Sequence, residues 1–110
     1  MMSDVLVRLN QTLRQRRDDD PQHSYVASLY ARGVDVMARK VGEEAVETIL
    51  AAKGGDRNAL VREIADLWFH SMVLLMAQGG EVGEVLAELE RREGTSGHAE
   101  KAARQSVSHD

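Results

Sequence analysis

Two short acidic clusters on consecutive predicted helices constrain the fold of this chain more than any other feature. The first occupies residues 43–47 (EEAVE) and the second residues 63–66 (EIAD), with Gly54-Gly55 between them. Spacings of three and four residues place the carboxylates of each cluster on a shared helix face. Because like charges on one face repel unless a cation compensates them, the pattern predicts one oxygen-rich metal site between two antiparallel helices.

The hydrophobic pattern predicts an all-α protein. Apolar residues recur at helical spacing in five segments, at about residues 4–17, 25–33, 34–53, 58–78 and 82–92. The run from Leu67 to Ala77 is apolar nearly all round, so this helix is expected to be central or covered by a partner chain. Short helical chains often complete their core by oligomerising. We therefore expect a bundle of four to five helices over residues 1–93, completed by homodimerisation, and a polar C-terminal tail at 94–110.

Composition excludes several classes of function. A net charge of -4 argues against a general nucleic-acid binder. The chain has no cysteine, which excludes disulfides, zinc-thiolate sites and cysteine nucleophiles. It contains no uncharged apolar run long enough for a membrane span, and its N-terminus lacks the apolar region of a signal peptide. A cytoplasmic protein without a membrane partner is the expectation.

Carboxylate oxygens without thiolates suit hard cations, Mg²⁺ first and Mn²⁺ second. Ferritin-like di-iron bundles are the main alternative, but they need Glu-x-x-His pairs on two helices. None of the four histidines has a glutamate three residues before it. A solvated helix face would explain the first cluster alone. The second cluster lies on an otherwise apolar helix, where uncompensated charge is costly, and this favours a metal site.

Two other residues near the clusters each allow two interpretations. His70 lies one turn after Asp66, where a hydrogen-bonded core histidine is more common than one that contacts substrate. Lys53 precedes the glycine pair and either complements the helix C-terminus or reaches the oxygens of a polyphosphate.

The acidic spacing, Glu-Glu-x-x-Glu followed by Glu-x-x-Asp, resembles the signature of the all-α, MazG-type nucleotide pyrophosphohydrolases. A longer set of residues, covering about 24 to 104, resembles the phosphoribosyl-ATP pyrophosphohydrolase family of histidine biosynthesis. These residues are Ser24-Tyr25, the string KVGEEA at 40–45, Ala51-Ala52-Lys53, Asp56, Asp66-Leu67, His70, and Ser96-Gly97-x-x-Glu100-Lys101.

This resemblance implies a monofunctional enzyme that hydrolyses the α–β phosphoanhydride bond of phosphoribosyl-ATP to phosphoribosyl-AMP and pyrophosphate. It implies that Mg²⁺ is held by Glu44, Glu47, Glu63 and Asp66. Glu43 would be a further ligand or the base that orients the attacking water, so the catalytic candidates are Glu43, Glu44 and Glu47. The substrate-binding candidates are Lys40, Lys53, His70 and Lys101.

Two alternatives to this function remain open at the level of sequence. One is a MazG-like or dUTPase-like house-cleaning hydrolase, which would share the metal site and differ in the base it accepts. The other is a helical dimerisation module without enzymatic activity, in which the acidic faces are only solvated.

Overall fold

The computed structural model of the protein describes residues 2–94 together with Gly97, Lys101, Ala102 and Arg104. Within residues 2–94 it contains five helices and no strand, which confirms the predicted all-α class. The helices are α1 (Met2–Arg16), α2 (Tyr25–Arg32), α3 (Val34–Gly54), α4 (Arg57–Ala77) and α5 (Val82–Arg92). Most of the predicted tail at 94–110, including Ser96 and Glu100, lies outside the described residues.

The helix boundaries follow from local side-chain chemistry. The hydroxyl of Ser24 accepts a hydrogen bond from the backbone N–H of Ala27 at 3.2 Å and caps α2. Asp56 caps α4 by accepting from the second and third N–H groups that follow it, at 3.0 and 3.2 Å. Between α2 and α3 the chain passes through Gly33 at φ 100° and ψ 171°, a conformation that is essentially restricted to glycine. These residues fix where three of the helices start.

The two longest helices, α3 and α4, form an antiparallel hairpin of 21 residues on each side. Only Gly55 and Asp56 separate them, and Gly55 adopts the left-handed conformation that ends a helix. This short turn brings the two helices back along each other over most of their length. The hairpin is therefore the scaffold that sets the acidic cluster of α3 against that of α4.

All five helices contribute to one hydrophobic core. Its buried members are Leu13 of α1, Val26 and Leu29 of α2, Met37 of α3, Met72, Val73 and Met76 of α4, and Val82 of α5. The core lies at the end of the hairpin away from the Gly55 turn. At the other end, large apolar side chains of α3 and α4 are left open to solvent.

The surroundings of α4 differ from those of a helix buried on every side. Its second half is buried along one side, but Trp68 keeps 57% of its surface exposed. Within this single chain α4 is thus not fully covered, and the predicted covering by a partner chain stays a prediction. Among the described residues, no helix is both long and apolar enough to cross a membrane.

A buried polar contact fastens α1 to the start of α5. Asn10, which is 7% exposed, accepts a hydrogen bond from the backbone N–H of Val82 at 3.0 Å. Its amide nitrogen donates to the carboxylate of Glu81 at 2.7 Å, and the same carboxylate pairs with Arg14. Since the Glu81 side chain does not cap α5, the Asn10 side chain takes that role from another helix.

Candidate functional site

The α3–α4 hairpin brings acidic side chains from both predicted clusters together. Glu44 of α3 and Glu63 and Asp66 of α4 each present one carboxylate oxygen, and these three oxygens lie within 4.8 Å of one another. Glu44 and Glu63 are half-buried, whereas Asp66 is exposed. Three oxygens at this separation, on two helices that hold each other in place, form a donor set of the size and type that a hard divalent cation needs.

Glu47 extends this cluster by one helical turn along α3. Its carboxyl group shares a hydrogen bond with that of Glu63, which is the largest cause of a raised pKa at Glu63. Burial of the Glu63 carboxyl raises its pKa further, as do the negative charges of Glu47, Glu44 and Asp66. The four carboxylates therefore share an electrostatic environment in which negative charge is in excess.

Two oxygens of this cluster are buried and have no hydrogen-bond partner among the described residues, Oε2 of Glu44 and Oε2 of Glu63. A buried acceptor without a partner costs free energy, and the like charge of the neighbouring carboxylates adds to that cost. A bound divalent cation would satisfy both oxygens and remove the repulsion. The donor chemistry thus fits a hard divalent cation such as Mg²⁺ or Mn²⁺ at this place, and the ligands predicted from the sequence stay a prediction.

Glu43 lies beside the cluster but is held differently. It is placed outside the three-oxygen group, and its carboxylate pairs with Lys40 at 3.5 Å and with Arg39 at 3.7 Å. All three side chains belong to the first half of α3. The structure therefore brings together Glu44, Glu47, Glu63 and Asp66, and it sets Glu43 in a neighbouring basic environment.

Two of the three lysines predicted to bind phosphate, Lys40 and Lys53, lie on α3 at different distances from the cluster. Lys40 is half-buried and lies four residues before Glu44, about 6 Å along the helix axis. Lys53 is exposed in the last turn of α3, about 9 Å along the axis beyond Glu47. Lys101 is exposed on helical backbone in the C-terminal segment. Of the three, Lys40 is the one that the structure places beside the carboxylates.

His70 is only 7% exposed and both of its ring nitrogens have partners. Nδ1 lies 2.7 Å from the backbone carbonyl oxygen of Asp66, and Nε2 lies 2.7 Å from the hydroxyl of Tyr25. This is the environment of the hydrogen-bonded core histidine that the sequence favoured. No local signal in the sequence indicates the partnership with Tyr25, because the two residues are 45 positions apart and only the packing of α2 against α4 unites them.

An antiparallel helix pair that brings four carboxylates together fits the all-α nucleotide pyrophosphohydrolases of the MazG type, the class that the acidic spacing resembles. The comparisons with known proteins identify the family within that class. The sequence model of the phosphoribosyl-ATP pyrophosphohydrolase family matches residues 6–93. A phosphoribosyl-ATP pyrophosphatase from Rhizorhabdus wittichii is 56% identical over 103 residues, which cover 94% of this chain and 97% of that protein.

The chain belongs to the phosphoribosyl-ATP pyrophosphohydrolase family. The matched region contains all five helices apart from the first residues of α1, and it includes both acidic clusters. The sequence prediction of this family, and with it of a hydrolase of histidine biosynthesis, is confirmed.

Proposed function

We propose that this protein hydrolyses the α–β phosphoanhydride bond of phosphoribosyl-ATP, releasing phosphoribosyl-AMP and pyrophosphate in the second step of L-histidine biosynthesis. Family membership supports the substrate, and the shared carboxylate cluster of α3 and α4 supports the chemistry. The single observation that carries the mechanism is the meeting of Glu44, Glu63 and Asp66 within 4.8 Å. The cytoplasmic location predicted from the sequence is part of this proposal.

Glu44, Glu47, Glu63 and Asp66 hold the metal ion in this proposal, with Mg²⁺ as the physiological cation and Mn²⁺ as a substitute. Their two unpartnered buried oxygens support this assignment. When bound, the ion neutralises phosphate charge and lowers the pKa of a water that it holds. The hairpin contributes rigidity, because ligands on packed helices keep their positions without the ion.

Glu43 and Lys40 border the cluster and take the remaining roles at the α3 side of the site. Glu43 acts as the base that orients the attacking water or as a further ligand, and its exposed carboxylate is accessible for either role. Lys40, Lys53 and Lys101 contact the phosphate oxygens of the substrate in this proposal. A lysine ammonium can exchange its exposed partner Glu43 for phosphate at little cost, since exposed ion pairs contribute about 0–1 kcal/mol.

The proposal includes a homodimer, in which a second copy of the chain covers the exposed apolar surface. Apolar side chains stay more than half exposed along the hairpin, at Val46, Ile49 and Leu50 of α3 and at Val61 and Trp68 of α4. Trp68 also lines an apolar groove of about 460 Å³ between α1, α4 and α5, so the exposed surface continues into it. Apolar surface of this extent is typical of a protein interface, and homodimers cover it most simply.

The substrate is tested by comparing turnover of phosphoribosyl-ATP with that of canonical and damaged nucleoside triphosphates at equal Mg²⁺. Phosphoribosyl-ATP is expected to have the highest kcat/KM, and its products are expected to be phosphoribosyl-AMP and pyrophosphate by ³¹P NMR. A higher kcat/KM for dUTP, or no turnover of phosphoribosyl-ATP, would contradict the proposed substrate and favour a house-cleaning hydrolase.

The metal site is tested with Glu47→Ala and Asp66→Ala. Each variant is expected to keep its helical circular dichroism spectrum and to lose Mg²⁺-dependent hydrolysis by at least about 100-fold, since metal stabilisation of the transition state is worth several kcal/mol. Full activity in both variants would contradict the site. A protein that binds no divalent cation and turns over no nucleotide would instead be a helical dimerisation module.

A further inference from the structure

The histidine and tyrosine that lie behind the carboxylate cluster form a continuous hydrogen-bonded chain that starts at the backbone of Asp66. The carbonyl oxygen of Asp66 is 2.7 Å from Nδ1 of His70, and Nε2 of His70 is 2.7 Å from the hydroxyl of Tyr25. His70 lies on α4, one turn after Asp66, and Tyr25 is the first residue of α2. These two hydrogen bonds therefore connect the start of α2 to the turn of α4 that carries the acidic cluster.

The direction of each hydrogen bond follows from the chemistry of its groups. A carbonyl oxygen can only accept, so Nδ1 of His70 carries a proton and donates it to Asp66. In the neutral imidazole Nε2 is then the acceptor, and the Tyr25 hydroxyl donates to it. Both ring nitrogens are engaged in these hydrogen bonds, so His70 has no free nitrogen to bind substrate or metal.

Ring packing holds the side chains of Tyr25 and His70 in one geometry. The Tyr25 ring stacks on Phe69 with centroids 6.3 Å apart, and the His70 ring meets both of the others edge-on, at 5.7 and 5.3 Å. Such edge-on and stacked contacts are favourable and restrict the rotamers of all three side chains. His70 thus has a fixed position from which it can brace the Asp66 carbonyl.

The Asp66 carboxylate is held by fewer packing contacts than the carboxylates of Glu44 and Glu63, so it depends more on support from its own backbone. Its side chain is exposed, whereas Glu44 and Glu63 are half-buried and held by the packing around them. The orientation of the Asp66 carboxylate therefore depends on the position of its own backbone. In metal sites generally, hydrogen-bonded groups behind the ligands orient them and are worth 10–100-fold in metal affinity.

We propose that Tyr25 and His70 are positioning residues, which fix the Asp66 turn of α4 so that its carboxylate faces Glu44 and Glu63, and which contact neither metal nor substrate. The inference rests on the proposed metal site, since it describes how one ligand of that site is held. It assigns to His70 a role different from that of the substrate-binding candidate named with the family resemblance.

The test compares the only two tyrosines of the chain, Tyr25 and Tyr30. Tyr25→Phe removes the hydroxyl that donates to His70 and keeps the ring in its stack. Tyr30→Phe is the matched control on the same helix, because the Tyr30 hydroxyl is buried and has no hydrogen-bond partner among the described residues. Affinity for Mn²⁺ is measured by electron paramagnetic resonance on each full-length variant without substrate, well below its unfolding temperature.

Tyr25→Phe is expected to weaken Mn²⁺ binding about tenfold, as partners behind a ligand generally do, while Tyr30→Phe leaves it unchanged. With phosphoribosyl-ATP at subsaturating metal, Tyr25→Phe is expected to lower kcat and to leave the KM for the nucleotide within about twofold. His70→Asn retains a donor near the Asp66 carbonyl but cannot reach Tyr25, so adding Tyr25→Phe to it should produce no further loss.

Three results would overturn the inference while leaving the metal site intact. One is a wild-type Mn²⁺ affinity in Tyr25→Phe, even if its unfolding temperature falls, because that is the signature of a purely structural contact. Another is a raised KM for the nucleotide at unchanged Mn²⁺ affinity, which would make Tyr25 a substrate contact. The third is a full additional loss in the double variant. Failure of the wild-type protein to bind Mn²⁺ at all would instead contradict the proposed function itself.

Discussion

Glu43 and Glu44 are adjacent in the sequence, yet their side chains have different surroundings. Glu44 is half-buried and faces Glu63 and Asp66, whereas Glu43 is exposed and paired with Arg39 and Lys40. Successive helical residues point about 100° apart, so only one of the two can face the partner helix directly. The pair therefore allows an internal comparison of a proposed metal ligand with a residue that lies beside the proposed ligands.

We expect Glu44→Gln to weaken Mn²⁺ binding by at least about tenfold and Glu43→Gln to change it by less than about threefold, because only Glu44 offers an oxygen to the cluster. Isothermal titration calorimetry on the two isosteric variants measures the difference. Lost hydrolysis with retained Mn²⁺ affinity in Glu43→Gln would identify Glu43 as the base. An equal loss of affinity in both variants would instead show that Glu43 is also a ligand.

Glu63 offers a second prediction at this scale, on stability without metal. Its pKa is raised by the hydrogen bond with Glu47, by burial and by the surrounding negative charges. Because the pKa in the folded state exceeds the ordinary value of 4.5, the stabilising effect of the bound proton is complete below that value and is lost as the pH rises through the folded pKa. Ionised Glu63 thus destabilises the metal-free protein near neutral pH.

Glu63→Gln is therefore expected to raise the unfolding temperature of the metal-free protein at pH 7.5 and to have little effect at pH 4. Added Mg²⁺ should stabilise the wild-type protein and not the variant, which reverses their order at neutral pH. Differential scanning calorimetry of both proteins, with EDTA at pH 7.5 and at pH 4 and with excess Mg²⁺ at pH 7.5, gives the unfolding temperatures to compare. An unfolding temperature of the metal-free variant below that of the wild type at pH 7.5 would mean that repulsion at Glu63 is not significant.

At the scale of helices, the contact of α1 with α5 depends on one buried polar side chain. Asn10→Ala removes the acceptor of the Val82 N–H and the donor to Glu81, and leaves a buried N–H without a partner. Such a loss costs about 1–3 kcal/mol in the free energy of unfolding. Arg14→Gln is the matched control, since Arg14 pairs with the same carboxylate on the surface and exposed pairs contribute about 0–1 kcal/mol.

Urea unfolding of the two variants measures this difference, with the slope of the transition checked for constancy. Asn10→Ala is expected to unfold at lower urea, with a clear gap to Arg14→Gln. Equal midpoints would show that water replaces the Asn10 amide at no cost and that α5 is held by its apolar contacts alone.

The elements themselves were predictable because their signals are local. Ser24 and Asp56 cap helices where the sequence placed helix starts, and Gly55 ends α3 as expected. The spacing of the acidic residues also predicted which helix faces would meet. The bonds of Asn10 with Val82 and of Tyr25 with His70 join residues 72 and 45 positions apart, and no local signal marks them. Such contacts depend on how whole helices pack, which periodicity does not determine.

At the scale of the whole molecule, the position of the core is the physical reason for expecting a second copy of the chain. The buried core joins α1, α2 and α5 to one end of the hairpin, so within residues 2–94 the other end consists of α3 and α4 alone. A pair of helices alone cannot cover its apolar residues on every side. Ile49, Leu50 and Val61 lie at that end and are each more than half exposed.

Dimerisation through this surface is expected to change the environment of Trp68, the only tryptophan of the chain. Its 57% exposure in one chain should fall in the dimer, so its emission should shift to longer wavelength on dilution below the dissociation constant. Val61→Glu places a charge in the proposed interface and should raise that constant by at least about 100-fold, since a buried unpaired charge costs about 3 kcal/mol or more. Val5→Glu, at a similarly exposed site on α1, should leave it unchanged. Sedimentation velocity of the three proteins checks the masses, and an equal effect of both substitutions would mean that the hairpin is not the interface.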